Sequence, residues 1–114
     1  MASNEWIHTD DDQWVKKICD KSFELVEIRE WPEGYVVATG EIDLNDYSKE
    51  DIVSCINGYG YDSIEVAEEQ YRDAANQVIA ECLFEQTASV ELNLMSADTF
   101  EEAEAKAKEY MRNN

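Results

Sequence analysis

Residues Ser22 to Tyr47 read "SFELVEIREWPEGYVVATGEIDLNDY". Two apolar-rich runs flank Pro32-Glu33-Gly34. Pro presets the first turn position and Gly takes a positive φ freely, so the stretch predicts a β-hairpin. In the second run Val36, Ala38, Ile42 and Leu44 share one face, interrupted by Gly40. In the first run Phe23 and Leu25 lie on one side, Val26 and Ile28 on the other. If each strand buries a single face, a bulge must lie between these pairs.

Before the hairpin, Thr9 followed by Asp10, Asp11 and Asp12 resembles a capped helix start. Trp14, Val15, Ile18 and Cys19 then predict a short helix through "DQWVKKICD". Residues 1–8 lack periodicity and are expected to be loose. After the hairpin, Ser48 with Asp51 opens a short helix through Ile52, Val53, Cys55 and Ile56, which Gly58 stops. Asp62 or Ser63 caps a long helix near 63–85, whose apolar positions Ile64, Ala67, Tyr71, Ala74, Val78 and Cys82 keep helical rhythm. In "ASVELNLMS", Val90, Leu92 and Leu94 alternate with Glu91 and Asn93 as in a strand. Thr99 and Glu102 form a capping box for a last helix with Phe100, Ala103, Ala107 and Tyr110 inward. The expected fold is one α+β domain over residues 1–114, in the order α-β-β-α-α-β-α. It would pack a small three-stranded antiparallel sheet, the hairpin plus one strand, with about four helices.

The 114 residues hold 27 acids and 9 bases, a formal net charge of −18. Residues 41–104 carry 17 of the acids and only 2 of the bases. Phosphate neutralisation needs a basic face, so direct nucleic-acid binding is excluded, and anionic membranes with it. A basic protein, or loosely associated metal cations, remain as partners. The opening "MASNEWIHTDDDQ" has no basic segment leading into an apolar run, so no secretory signal is read there. Cys19, Cys55 and Cys82 form no CxxC pair and each falls on a predicted helical stripe, where a free Cys acts as a small hydrophobe. That usage implies a reducing, cytoplasmic compartment.

Catalytic ingredients are scarce. His8 is the sole histidine and has no predicted scaffold to hold it beside a nucleophile. Three scattered thiols do not make a zinc site. "DLNDYSKEDIVS" begins like a calcium loop but puts Ser48 at the turn-glycine position and Ser54 at the bidentate-glutamate position. Gly58 and Gly60 in "NGYGYD" follow a helix and precede carboxylates, which would repel a phosphate. No enzymatic activity, cofactor or dedicated metal site is expected.

The chemistry concentrates between Asp43 and Asp73, where nine carboxylates and four tyrosines meet two cations, Lys49 and Arg72. On one long helix, Glu65, Glu69 and Asp73 would share a face with Glu68 beside them. Like charges so spaced repel, and carboxylates four apart recur only about every 6 Å, against about 3.4 Å for phosphates along a DNA strand. A second row from Glu50 and Asp51, or from Asp43 and Asp46, would fill the gaps. Tyr47, Tyr59 and Tyr61 would add amphipathic contacts. These eleven residues are the candidate partner-binding surface.

In size, charge and its "EVAEEQYRD" helix, the chain resembles the small acidic inhibitors encoded by phages and mobile elements, the anti-restriction and anti-CRISPR proteins. The resemblance implies a non-enzymatic inhibitor that shows a DNA-mimicking anionic surface to a nucleic-acid-binding protein such as a nuclease. It matches no family motif residue by residue and assigns no site. The alternative is a small cytosolic or phage domain whose acidity is only solvation and whose contacts are apolar. Exposure of two of Trp6, Trp14 and Trp31 would favour that alternative.

Overall fold

The computed structural model describes residues 6–114. Four strands run as a meander: β1 (Ile7–Asp10), β2 (Gln13–Cys19), β3 (Ser22–Trp31) and β4 (Gly34–Asp43). Three helices follow: α1 (Lys49–Asn57), α2 (Ile64–Tyr71) and α3 (Ala75–Gln86). The chain then returns as β5 (Asn93–Ala97), which pairs antiparallel with β4, and ends in α4 (Phe100–Arg112). The sheet therefore has five antiparallel strands in the order β1-β2-β3-β4-β5, and the element order is β-β-β-β-α-α-α-β-α. Both the expected three-stranded sheet and the expected α-β-β-α-α-β-α order are corrected.

Helices cover both faces of the sheet. On one face Phe23, Leu25, Ala38 and Ile42 pack with Ile52 and Ile56 of α1 and Ile79, Leu83 and Phe84 of α3. On the other, Trp14, Val26, Ile28 and Val37 pack with Ala103, Ala107 and Met111 of α4. This explains the split apolar pattern of "SFELVEIREW". Phe23 and Leu25 face α1 and α3 while Val26 and Ile28 face α4, so both sides of β3 are buried. No bulge is needed, and the β3–β4 register runs unbroken from Ser22↔Asp43 to Trp31↔Gly34.

The same two-faced burial overturns the first predicted helix. In β2, Trp14 joins the α4 core and Val15 the α1–α3 core, the alternation a strand provides and a helix does not. Asp11 and Asp12 form the turn between β1 and β2 instead of a helix's first turn. Ile18 and Cys19 end β2 exposed, so Cys19 is no core hydrophobe; Cys55 and Cys82 are buried. Ile7 and His8, expected in a loose segment, belong to β1, and the His8 ring stacks on Trp14 at 4.8 Å. Residues 1–5 lie outside the described residues.

The long helix is also broken. Arg72 takes φ 51 and ψ −116, a conformation unusual for a residue with a Cβ, and a single 3-10 turn over Arg72–Ala74 separates α2 from α3. The predicted strand around Val90 gives way to a 3-10 turn over Ser89–Glu91 with Val90 85% exposed, and pairing begins only at Asn93. Among the described residues no helix is long and apolar enough to cross a membrane.

Candidate anionic interface

Local capping sets the arm that carries the sequence-derived candidates. Asp43 Oδ1 accepts from the Asn45 N–H at 2.9 Å and ends β4 in a tight turn that contains Asp46. Ser48 Oγ accepts from the Asp51 N–H at 3.1 Å and starts α1; Ser63 Oγ accepts from the Val66 N–H at 3.2 Å and starts α2. Carboxylates in these first turns, Glu50, Asp51 and Glu65, meet the positive end of each helix dipole.

The two helix starts adjoin. Lys49 of α1 reaches Glu65 of α2 at 3.8 Å, with both side chains about 70% exposed. Glu50 and Asp51 therefore lie on the element that adjoins α2, while Glu68 and Glu69 lie one turn beyond Glu65 and are exposed. Among the described residues no Lys or Arg forms an ion pair with Asp46, Glu50, Asp51, Glu68, Glu69 or Asp73. The ion-paired cations other than Lys49 sit on the sheet and α4: Lys16 with Glu24, Lys17 with Asp20, Arg29 with Glu27, Lys106 with Glu102 and Lys108 with Glu104.

Other candidates fall elsewhere. Asp73 lies past the break at Arg72, so it does not extend the Glu65–Glu69 row. Asp43 is half-buried and committed to its turn. Tyr47 is half-buried against the α1–α3 core, where burial and the nearby Asp46 push its pKa up.

Tyr59 and Tyr61 turn toward α3 and line a second feature, a cleft of about 380 Å³ that the sequence did not reveal. Its walls come from the β1–β2 hairpin (Asp10, Gln13), the α1–α2 connection (Tyr59, Tyr61), the end of α2 (Tyr71) and α3 (Glu81, Glu85). Tyr61 and Tyr71 meet edge to face at 5.7 Å with bonded hydroxyls, an arrangement that holds the Tyr61 pKa near about 12. Tyr59 donates to Glu85 Oε1 at 2.7 Å, and Gln77 donates to Glu81 Oε2 at 3.0 Å. Burial, then the charges of Asp10 and Glu85, push the Glu81 pKa up. Among the described residues no cation pairs with Asp10, Glu81 or Glu85. Only the strand assignment of residues 13–19 brings Gln13 to α3, so a helical reading of that stretch hides the cleft.

Cys82 lines the cleft, but burial lifts its thiol to about 12, far from a thiolate at neutral pH. Among the described residues no three His, Cys, Asp or Glu side chains are arranged to hold a metal ion. Trp14 is 6% exposed, and Trp6 and Trp31 are both half-buried. Comparison with protein-family models, with curated proteins and with solved structures finds no match.

Proposed function

We propose that this chain is a non-enzymatic acidic binding protein whose α1–α2 arm presents a DNA-like anionic surface to a basic, nucleic-acid-binding partner such as a nuclease, and thereby inhibits it. The observation that carries the reading is the separation of charge described above. Most ion-paired cations neutralise acids on the sheet and α4, while Glu50, Asp51, Glu68 and Glu69 remain exposed and unpaired. A helix face serving solubility alone would alternate signs, as α4 does with Glu102 and Lys106. Glu50 and Asp51 of α1 and Glu65, Glu68 and Glu69 of α2 lie on two elements that adjoin at the Lys49–Glu65 contact. Their field would steer and hold a cationic groove, most strongly at low ionic strength. The three unpaired thiols fit a reducing, cytoplasmic setting.

The test is competition. Proteins retained on immobilised duplex DNA from a nuclease-treated extract of the natural host are challenged with the purified chain. The proposal expects one or a few DNA-binding proteins to be displaced and recovered bound to this chain at low salt. Failure to displace any of them, with an uncharged protein of similar size behaving identically, contradicts it and favours acidity as solvation.

A further inference from the structure

We infer that the outer edge of β5 is a docking site for an extended, basic segment of a polypeptide partner, which adds to the sheet as a sixth strand. This surface lies apart from the α1–α2 arm, and the inference rests on the proposed function only in taking the partner to be basic.

The first observation is the direction of the backbone groups. The Leu44 N–H donates to the Lys21 carbonyl at 2.8 Å, one step beyond the Ser22↔Asp43 pair. In the unbroken β3–β4 register, alternate β4 residues from Ile42 back to Val36 therefore turn their N–H and C=O groups to β3, and those between turn theirs to β5. Val37 and Tyr35 thus bond Met95 and Ala97, which leaves the N–H and C=O groups of Leu94 and Ser96 pointing outward. Lys106 Nζ donates to the Ser96 carbonyl at 2.5 Å; among the described residues no strand pairs with this edge. Proteins ordinarily guard such an edge with charges, proline or a bulge. β1, at the other edge of the sheet, is four residues long, shifts register between His8 and Asp10, and ends in a carboxylate. β5, reading Asn-Leu-Met-Ser-Ala, has no charge, no proline and no register shift.

The second observation is a groove on each face beside that edge. Leu94 lies opposite Ala38 of the α1–α3 core and Met95 opposite Val37 of the α4 core, so the β5 side chains alternate between the faces. A groove of about 460 Å³ is lined by Leu94 and Ser96 together with Trp31, Val36 and Asp98. On the α4 face a groove of about 350 Å³ is lined by Met95, Lys106, Glu109 and Tyr110. A strand bonded to Leu94 and Ser96 would send successive side chains alternately into the two grooves. Charge decides between occupants. Glu33 and Asp98 line the first groove, Glu109 lines the second, and Glu91 lies just before β5. All four are exposed, and among the described residues no Lys or Arg forms an ion pair with them. A second copy of the chain would bring its own net charge of −18 to these acids, whereas a segment bearing Lys or Arg complements them.

The experiment titrates the full chain at low salt with acetyl-Arg-Val-Thr-Val-Arg-amide, following the backbone amide resonances of Asn93–Ala97. The expected result is saturable shifts, with nuclear Overhauser contacts from the peptide to the Leu94 and Ser96 amides. Binding at least about tenfold weaker is expected for the same peptide with every backbone nitrogen methylated, and for glutamate in place of both arginines. The variant Ser96→Pro, whose lost N–H points away from β4, is expected to keep its fold and to weaken the peptide at least about tenfold. Should that variant unfold, the methylated peptide on the unaltered chain decides. Absence of saturation at β5, equal binding of either control peptide, or unchanged affinity in a folded Ser96→Pro chain overturns the docking edge. Self-association through β5 that excludes the peptide also overturns it and assigns the edge to a second copy. Those failures, with displacement of DNA-binding proteins retained, leave the proposed function standing. Peptide binding at β5 in a chain that displaces no DNA-binding protein supports the docking edge and rejects the function.

Discussion

Arg29 Nε donates to Glu27 Oε1 across 2.7 Å on the sheet face that carries α3. The same guanidinium donates to the carbonyls of Phe84 and Thr87, both at 3.0 Å, and to Ser89 Oγ at 2.9 Å. The contact thus compensates a carboxylate only 8% exposed and satisfies the C-terminal carbonyls of α3. It anchors the helix that forms one wall of the tyrosine–carboxylate cleft.

Arg29→Met is therefore expected to destabilise the fold by about 3 kcal/mol or more, because it strands a buried carboxylate. Adding Glu27→Gln should recover part of the loss. Urea unfolding of both single variants and the double variant checks this. Strict additivity would show that the two side chains do not act as a pair.

Glu27, Glu81 and Asp12 all have pKa values raised from their ordinary values, chiefly by burial. A carboxyl whose pKa is higher in the folded state binds more protons folded than unfolded, so it costs stability at neutral pH. That cost is relieved as pH falls through the raised values toward the unfolded ones. Thermal melting at fixed ionic strength is expected to rise on going from pH 7 to about pH 5, with Glu27→Gln flattening the rise. A steady fall over that window contradicts the burial of these groups.

Gly40 in β4 admits Phe84 and Leu92 to the sheet. A Cβ built there would lie 2.8 Å from Leu92 Cδ2 and 3.3 Å from Phe84 Cε1. Gly40→Val is expected to cost about 1–3 kcal/mol by overpacking, and Gly40→Ala less, since the Leu92 side chain can swing away. Equal stability of all three proteins in urea would mean that α3 sits further from the sheet.

Arg72 holds a backbone conformation that glycine reaches without strain. Arg72→Gly is expected to be neutral or to stabilise by up to about 1 kcal/mol, whereas Arg72→Val should destabilise. If valine is tolerated as well as glycine, α2 and α3 run on as the single helix their periodicity suggests.

The legible parts of this fold are those decided by local chemistry. Pro32 and Gly34 mark the hairpin, and Ser48, Ser63 and Thr99 mark three helix starts through their side-chain caps. What the sequence hides is decided at long range. The adjacent pair Trp14 and Val15 fits a helical stripe as well as a strand buried on both sides, and only the covering of both sheet faces decides between them. The break at Arg72 carries no Gly or Pro to announce it. Carboxylates such as Glu65 and Glu68 were readable as an exposed helix face, but their neighbourhood with α1 depends on how the α1–α2 connection folds back. The cleft around Glu81 and Glu85 needs Gln13 from a strand 68 positions before Glu81, which spacing along the chain does not suggest.

The contact role of the α1–α2 arm is tested most directly by the affinity of a displaced DNA-binding protein for this chain, measured against ionic strength, beside the variant Glu65→Lys/Glu68→Lys/Glu69→Lys. All three side chains are exposed, so the variant should stay folded, the loss of the surface Lys49–Glu65 pair costing at most about 1 kcal/mol. The wild-type affinity is expected to fall about tenfold or more between about 50 and 200 mM salt, and the variant to lose binding at every salt concentration. An affinity insensitive to salt and unchanged by the three reversals would contradict the claim that the α1–α2 arm is the contact surface.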